Sequence, residues 1–140
     1  MADVLPTKIR LTVVTRERKI VDVDVDEVEL PASDGEIGVL PGHTPLLTTL
    51  RIGVMRYRAG AAVEKIVLTW GFAEVLPDRV IVLAERGTLP AEVDPQAVEA
   101  ERAAAEKELE YLSSQDPEFA VVEARLEESV ALINVHRDFL

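Results

Sequence analysis

One charged segment of this 140-residue chain has a spacing that could bind a metal ion. Asp22, Asp24 and Asp26 alternate with valines, as in the opening of a calcium-binding loop. Such a loop needs glycine at its sixth position and glutamate at its twelfth, but Glu27 and Ser33 stand there. We therefore interpret the aspartates as the solvent-exposed edge or face of a strand, where like charges discourage aggregation.

Other catalytic and ligand-binding arrangements are missing from the sequence. The glycines Gly35, Gly38 and Gly42 fit neither the dinucleotide-binding nor the P-loop spacing, and no helical pattern follows them. His43 and His136 are far apart, and a chain without cysteine cannot assemble a zinc–sulfur site. No serine stands in a nucleophile elbow. The sequence predicts no catalytic site, no metal and no cofactor.

Composition narrows the class of protein further. The chain is 48% hydrophobic and 29% charged, which is typical of a soluble globular protein. Its net charge of -11 argues against nucleic acid as a partner, because phosphate binding needs a basic patch. It has neither a secretory signal nor an apolar run of the roughly 18 residues that cross a bilayer. We expect a protein that is cytosolic or peripheral on a membrane.

Two domains are predicted, residues 1–88 and 89–140. The first carries 11 basic and 13 acidic side chains, whereas the second carries 4 and 13. In the first, apolar residues alternate with polar ones, a pattern of half-buried strands. The alternating sets and further β-rich runs are Ile9, Leu11, Val13; Val21, Val23, Val25; Leu46–Ile52, Val54–Arg58, Val63–Trp70, Phe72–Leu76 and Arg79–Ala84. Short strands with turn residues between them predict an antiparallel β-sandwich or barrel, with Trp70 in its core.

The second domain has helical periodicity. Asp94-Pro95 is typical of a helix start, and this helix should run to about Leu112. Asp116-Pro117 begins a second helix of similar length, so the two should form an antiparallel hairpin. The apolar face of the second helix is predicted at Phe119, Val122, Leu126, Val130 and Ile133. Because both apolar stripes are narrow, the hairpin should pack on the β-domain or on a partner; an inert appendage is the other possibility.

Gly35–Leu47 is the most distinctive segment. Glycines and prolines punctuate it, and after Glu36 it carries no charge. We predict a stiff loop with apolar side chains, which serves either as a contact surface or as a crossover between the sheets.

This segment resembles the Gly-Glu-x-Gly-x-x-Pro-Gly-His-x-Pro-Leu-Leu signature of the epsilon subunits of F-type ATP synthases. Trp70–Val75 is similar to the same family's Gly-Gly-Phe-x-Glu-Val motif, and the resemblance extends over essentially the whole chain. It implies a mostly β protein with some α structure: a ten-stranded antiparallel β-sandwich followed by a two-helix hairpin.

The resemblance also implies a function and partners. The family's subunit is a non-catalytic part of the rotating central stalk, at the cytoplasmic face of the bacterial plasma membrane. Its sandwich binds the gamma subunit and the ring of c subunits, and its extended hairpin enters the alpha/beta head and inhibits ATP hydrolysis. The contact residues implied toward gamma and the ring are Glu36, Leu40, Pro41, Gly42, His43 and Pro45.

Two departures from the family pattern concern the hairpin. Some members bind ATP through Ile/Leu-Asp-x-x-Arg-Ala; here Asp94 is kept, but Ala97 replaces the arginine, and Arg102 lies more than one turn later. We therefore expect weak or no ATP binding. In the family, basic residues of the second helix meet an acidic segment of the beta subunit. This helix offers Arg125 and Arg137 among many acidic residues, so we expect modest inhibition or inhibition through apolar docking.

Two functions of other classes are the alternatives. One is a stand-alone β-sandwich that binds a small ligand beneath a helical lid. The other is an enzyme whose site is built from dispersed carboxylates; it needs convergent acid–base groups, which the sequence does not show, and fold and composition alone do not establish function.

Overall fold

The structure, a computed structural model, describes residues 5–140 as two compact units that separate between Gly87 and Thr88. The β unit comes first and the hairpin unit second. The strands are β1 (Ile9–Thr15), β2 (Lys19–Val25), β3 (Glu27–Ala32), β4 (Gly35–Val39), β5 (Leu46–Leu50), β6 (Gly53–Ala59), β7 (Ala62–Leu76) and β8 (Arg79–Thr88). The helices are α1 (Pro95–Leu109) and α2 (Pro117–Phe139), preceded by a 3₁₀ turn at Pro90–Glu92.

The strands follow the order β2-β1-β8-β7-β5-β3-β4, and β6 pairs with both β3 and β7. The aspartate-rich strand β2 lies at one edge, in accordance with the sequence-based interpretation of Asp22 and Asp24. One pair departs from the expected antiparallel arrangement, since β1 and β8 run parallel from Arg10↔Arg79 to Thr15↔Ala84. This pairing joins the beginning of the β unit to its last strand.

Residues 5–140 form eight strands rather than the ten that the family resemblance implied, and β7 accounts for part of the difference. The sequence suggested two runs, Val63–Trp70 and Phe72–Leu76, but both belong to one strand of 15 residues. Its first half pairs with β6 up to Leu68, and its second half pairs with β5 from Gly71 onward. A single strand therefore serves two neighbours in succession.

The core of the β unit consists of side chains that alternate along the strands. Ile9, Leu11 and Val13 are fully buried, as their spacing predicted. Val21 and Val25 are buried as well, but Val23 is exposed, because β2 is an edge strand. Each fully buried aliphatic side chain stabilises the fold by about 1.5–3 kcal/mol relative to an exposed one.

The hairpin unit has two helices of unequal length that pack against each other. α1 has 15 residues and α2 has 23, which correspond to about 22 and 35 Å, so the expectation of similar lengths was wrong. α1 ends at Leu109 rather than near Leu112. The amides of Glu110, Tyr111 and Leu112 bond to carbonyls three residues back, as in a 3₁₀ turn.

The apolar stripe of α2 differs in part from the predicted one. Val122 is buried, and Leu126 and Ile133 are half-buried, but Val130 is exposed. Ser129 is buried in the position that the prediction gave to Val130. A small side chain allows closer approach of its neighbours than valine does, and a hydrophobicity pattern does not reveal this.

Candidate functional site

The turn segment, residues 40–45, is the part of the predicted loop that the structure leaves irregular. The His43 amide donates to the Leu40 carbonyl at 3.2 Å, which closes a turn with Pro41 and Gly42 at its centre. Gly42 has a φ of 89°, the positive value that the third residue of a type II turn requires. The Gly42 amide also donates to the Pro77 carbonyl at 2.8 Å, so the turn is fixed to the β7–β8 connection.

Most side chains of this segment are accessible. Leu40 and Pro45 are exposed, and Pro41 and His43 are half-buried. Nδ1 of His43 lies 2.6 Å from the Thr44 carbonyl oxygen, which accepts its hydrogen. The ring orientation is thereby set by a neighbour in the same turn. Residues 40–45 thus form a stiff, uncharged surface at one end of the β unit.

Glu36 does not belong to this surface, which corrects the prediction of one loop from Glu36 to His43. It lies in β4, opposite Pro31 of β3. Leu40 is four positions further along the chain, or about 13 Å at 3.3 Å per residue. Its carboxylate lies 3.8 Å from the guanidinium of Arg51, and both side chains are about half exposed. The glycines around Glu36 suggested a loop, whereas pairing with β3 makes this segment a strand.

A second surface, the apolar face, consists of Leu47, Trp70, Phe72 and Leu83. Phe72 pairs with Thr49, and Glu74 pairs with Leu47, so Leu47 and Phe72 lie on one side of the sheet. Trp70, two residues before Phe72, is also exposed, whereas Ala73 and Val75, which alternate with Phe72 and Glu74, are fully buried. On the neighbouring strand β8, Leu83 is exposed between the buried Val82 and Ala84.

The apolar face overturns the prediction that Trp70 lies in the core. Trp70 is 47% exposed and has a φ of 22°. It stands between the part of β7 that pairs with β6 and the part that pairs with β5. The signal that could have identified this face is Glu74, because a charged residue in step with Phe72 and Trp70 marks that side of the strand as solvent-facing.

Gly71 is where two strands come closest together. A Cβ atom on this glycine would lie 1.9 Å from the Leu83 carbonyl oxygen and 2.8 Å from the Cα of Ala84. Only a residue without a side chain fits there. The backbone of β7 is thus held against β8 beside Trp70 and Phe72.

Charged side chains form ladders on the β unit. Arg10 pairs with Asp22 and Asp24 across β1 and β2, and these hydrogen bonds raise the pKa of Arg10 and lower that of Asp22. Asp26 is bonded by Lys8 and, at 2.7 Å, by the amide of Gly60; both lower its pKa. Asp22, Asp24 and Asp26 are therefore each paired with a basic side chain.

A shallow groove of about 110 Å³ lies between β3 and β6. Its lining residues are Glu27, Glu29, Arg56, Tyr57, Arg58 and Val63. Arg56 pairs with Glu29, and Arg58 pairs with Glu27. Small-molecule sites are usually cavities of about 300–1,000 Å³, so this groove gives little support to a small-ligand module.

In the hairpin unit, Asp94 caps α1. Its carboxylate accepts hydrogen bonds from the amides of Gln96 at 3.1 Å and Ala97 at 3.3 Å. Arg102 pairs with Glu99 and, at 2.7 Å, with Glu106 of the same helix, which raises the pKa of Arg102. The cation nearest in sequence to the ATP-motif position is thus already neutralised by carboxylates.

The basic residues of α2 have different partners. Arg125 donates to Glu101 at 2.6 Å and to Glu108 at 2.5 Å, and these bonds raise its pKa. We call this group of three residues the Arg125 clamp, because it joins α2 to two positions of α1 that are about two turns apart. Arg137 instead donates to the side chain of Asn134 in its own helix, at 3.1 Å. The sequence did not indicate the acidic partners of Arg125.

Residues 5–140 contain no group of three or more His, Asp or Glu side chains placed to hold a metal ion. Within the same residues, no helix is both long and apolar enough to cross a membrane.

The fold and its surfaces define a class of two-unit proteins, in which a β-sandwich with an accessible turn and apolar face precedes a helical hairpin. Residues 8–90 match the family model described as the ATP synthase delta/epsilon chain beta-sandwich domain. ATP synthase epsilon chain 2 of Syntrophotalea carbinolica is 39% identical over 128 residues, which are 91% of this chain and 93% of the relative. The ATP synthase epsilon chain of Trichlorobacter lovleyi has the same identity and coverage. The chain belongs to the family of ATP synthase epsilon chains.

Solved structures share the fold at low sequence identity. A chain in the cryo-EM structure of Euglena gracilis mitochondrial ATP synthase, OSCP/F1/c-ring, has a TM-score of 0.80 at 23% identity, covering 93% of this chain and 82% of that one. A chain in the central stalk/c-ring structure of Tetrahymena thermophila mitochondrial ATP synthase has a TM-score of 0.60 at 12% identity. There the coverage is 95% of this chain and 99% of that one.

Proposed function

We propose that this chain is a non-catalytic rotor subunit of the central stalk of a proton-translocating F-type ATP synthase. It works at the cytoplasmic face of a bacterial plasma membrane, to which it is peripheral. The observation that carries the proposal is the pairing of a fixed turn segment with an apolar face on one β unit, in a chain whose relatives are ATP synthase epsilon chains. Synthesis and hydrolysis of ATP take place on other subunits.

The two surfaces have different partners in this proposal. The apolar face binds the gamma subunit, because exposed aromatic and aliphatic side chains on a rigid sheet are typical of protein interfaces. The turn segment binds the c-subunit ring, where Pro41 and Pro45 limit its bending under load. The structural neighbours come from an assembly with a c-ring and from a central stalk with a c-ring, which supports these partners.

Glu36 has a separate role in this proposal. Its pairing with Arg51 places it on the strand next to the turn rather than at the tip. It contributes to ring contact only if it exchanges Arg51 for a partner on the ring. Leu40, Pro41, Gly42, His43 and Pro45 therefore form the main contact.

The hairpin unit regulates hydrolysis in the proposal. When closed, its helices are joined by the Arg125 clamp; when extended, α2 enters the alpha/beta head and blocks turnover. Two arrangements that differ by a few kcal/mol suffice for such a switch. Residues 89–140 carry 4 basic and 13 acidic side chains, so an acidic partner repels the extended form. Inhibition is then modest or depends on apolar docking.

Binding to gamma tests the rotor proposal directly. Isothermal titration of the full chain and of residues 1–88 with the gamma subunit of the same organism should give similar affinities, because the proposed binding surface lies in the β unit. Failure of the full chain to bind gamma contradicts the proposal. Turnover of a substrate by the isolated chain would contradict the non-catalytic assignment.

Hydrolysis by the assembled complex tests the regulatory part. Deleting residues 89–140 should raise ATP hydrolysis by less than about threefold, which corresponds to less than about 0.7 kcal/mol of stabilisation of the inhibited state. A rise of an order of magnitude would contradict modest inhibition, and a fall would contradict inhibition by the hairpin altogether.

A further inference from the structure

We propose that Trp70 is the anchor through which the apolar face binds its stalk partner, and that its unfavourable backbone conformation is retained for binding rather than for stability. The proposal rests on the function proposed above and adds to it a residue that determines affinity.

The backbone conformation of Trp70 is unfavourable for tryptophan. Among residues 5–140, Trp70 is the one non-glycine residue with a positive φ, at 22°. L-amino acids other than glycine are strained there, because the Cβ approaches the backbone carbonyl. Glycine adopts such values freely. The positive φ at position 70 therefore does not require tryptophan, and a glycine at this position would adopt it with less strain.

The side chain of Trp70 is about half exposed. Burial in the core could offset the strain of its backbone, but 47% of Trp70 remains accessible. It is also the one tryptophan of the chain. An indole that is half exposed to water loses much of the stabilisation that its size could provide. Trp70 thus carries two costs for the isolated chain, one in its backbone and one on its surface.

The neighbours of Trp70 form an exposed apolar surface on a tightly packed backbone. Phe72 and Leu47 are exposed on the same face, and Gly71 holds that part of β7 against β8 without freedom to shift. A large, rigid aromatic side chain amid apolar neighbours on a fixed backbone has the features of an interface hot spot, where tryptophan is the most enriched residue type. Strain at functional positions is maintained when the surrounding structure enforces it.

The net charge of the chain disfavours a second copy as the partner that covers the apolar face. Each copy carries a net charge of -11, so two copies repel each other at low ionic strength. A different chain, neutral or basic around its contact surface, avoids this repulsion. In the function proposed above, this different chain is the gamma subunit of the stalk.

Three substitutions at one position separate the indole from the backbone. Trp70→Gly and Trp70→Ala both remove the side chain, but only glycine relieves the strain. We expect Trp70→Gly to melt several degrees above Trp70→Ala, while both bind gamma at least tenfold more weakly than the wild type. Trp70→Phe, which keeps an aromatic ring, should lose less than either. Val63→Ala, at an exposed position on the half of β7 that pairs with β6, is the matched control with unchanged affinity.

A label gives an independent readout. Since the chain has one tryptophan, 5-fluorotryptophan introduced into this chain alone gives a single ¹⁹F resonance from position 70. Addition of unlabelled gamma should shift that resonance at the concentrations where calorimetry detects binding. The full chain should be used for both measurements.

Each outcome is decisive. If the wild type binds gamma and the glycine and alanine variants bind within twofold of it, the anchor proposal is overturned and the rotor function stands. If glycine binds as well as the wild type but alanine does not, the backbone shape rather than the indole carries affinity. A resonance that shifts with the concentration of this chain alone shows a second copy on the face. If the wild type does not bind gamma, the rotor function itself fails.

Discussion

The Nε atom of Arg125 in α2 donates a hydrogen bond of 2.6 Å to the carboxylate of Glu101 in α1. A second bond, to Glu108, ties the same guanidinium to a position two turns further along α1. All three side chains remain partly accessible to water. The clamp therefore holds the two helices together without burying charge. The destabilisation caused by removing it should be small and sensitive to salt.

Arg125→Gln should speed local opening of the hairpin by up to about fivefold, because partly exposed ion pairs contribute about 1 kcal/mol or less. Native-state hydrogen exchange of the α1 and α2 amides measures the effect, which should shrink in 1 M salt. Arg137→Gln is the control, since Arg137 donates within its own helix. Equal effects of the two substitutions would mean that the clamp adds nothing beyond general helix charge.

Gly71→Ala should destabilise the β unit by about 2–3 kcal/mol, the upper part of the usual range for overpacking. The added methyl would lie 1.9 Å from the Leu83 carbonyl oxygen, and backbone on β8 must move to admit it. Urea unfolding of the full chain measures the change. Gly38→Ala is the matched control, because no heavy atom lies within 4 Å of its added Cβ, and it should change stability by less than about 0.5 kcal/mol.

Asp94→Ala should lower the stability of the hairpin unit by about 1 kcal/mol, because it removes the acceptor for two amides at the start of α1. Asp94→Asn keeps a capping oxygen and should remain within a few tenths of a kcal/mol of the wild type. Helicity followed by circular dichroism during thermal unfolding distinguishes the two. If asparagine and alanine are equally harmful, the negative charge rather than the cap is what matters.

The isolated chain should not bind ATP at micromolar concentrations. Ala97 offers no cation to a phosphate group, and Arg102 is already paired with Glu99 and Glu106. Calorimetric titration with Mg–ATP checks this expectation. Arg102→Gln removes the nearest cation, so any residual heat that persists in this variant would arise from another place on the chain. Micromolar binding by the wild type would contradict the prediction.

Asp26 should make the β unit sensitive to acid. Its pKa is lowered from 3.8 chiefly by the Lys8 ammonium and also by the Gly60 amide, so the folded state binds a proton on Asp26 less readily than the unfolded state. The resulting stabilisation is present above pH 3.8 and is lost as the pH falls from there through the lowered folded-state value. Asp26→Asn should therefore show a smaller fall in melting temperature between about pH 5 and pH 2 than the wild type. Asp34→Asn, in an exposed turn, is the control.

Local rules explain what could be predicted from the sequence. The alternation at Ile9, Leu11 and Val13 and the N-cap at Asp94 depend on neighbours within a few residues, and the structure agrees with both. The β-sandwich followed by two helices was predicted on the same basis and is confirmed by the fold and by the family match. The stiff turn at Pro41 and Gly42 is also a local feature, and the hydrogen bonds around it agree.

The errors concern pairings between distant residues. Glu36 was assigned to a loop because of its glycine neighbours, but β3 recruits it into a sheet. Trp70 was assigned to the core because its run is apolar, yet β7 exchanges β6 for β5 beside it and turns the indole outward. On α2, the identity of the buried side chains depends on the packing of its neighbours, which brought Ser129 rather than Val130 inside. None of these choices is visible in a window of a few residues.

The continuity of β7 has a mechanical consequence for the β unit. One continuous strand runs from the ladder with β6 into the ladder with β5. Just beyond its end, the Pro77 carbonyl accepts a hydrogen bond from the Gly42 amide. Because β7 is continuous from one ladder to the next, sliding of either ladder would break hydrogen bonds along it. We therefore expect a sideways load on the turn at Pro41 to be transmitted along β7 toward Trp70 with little bending.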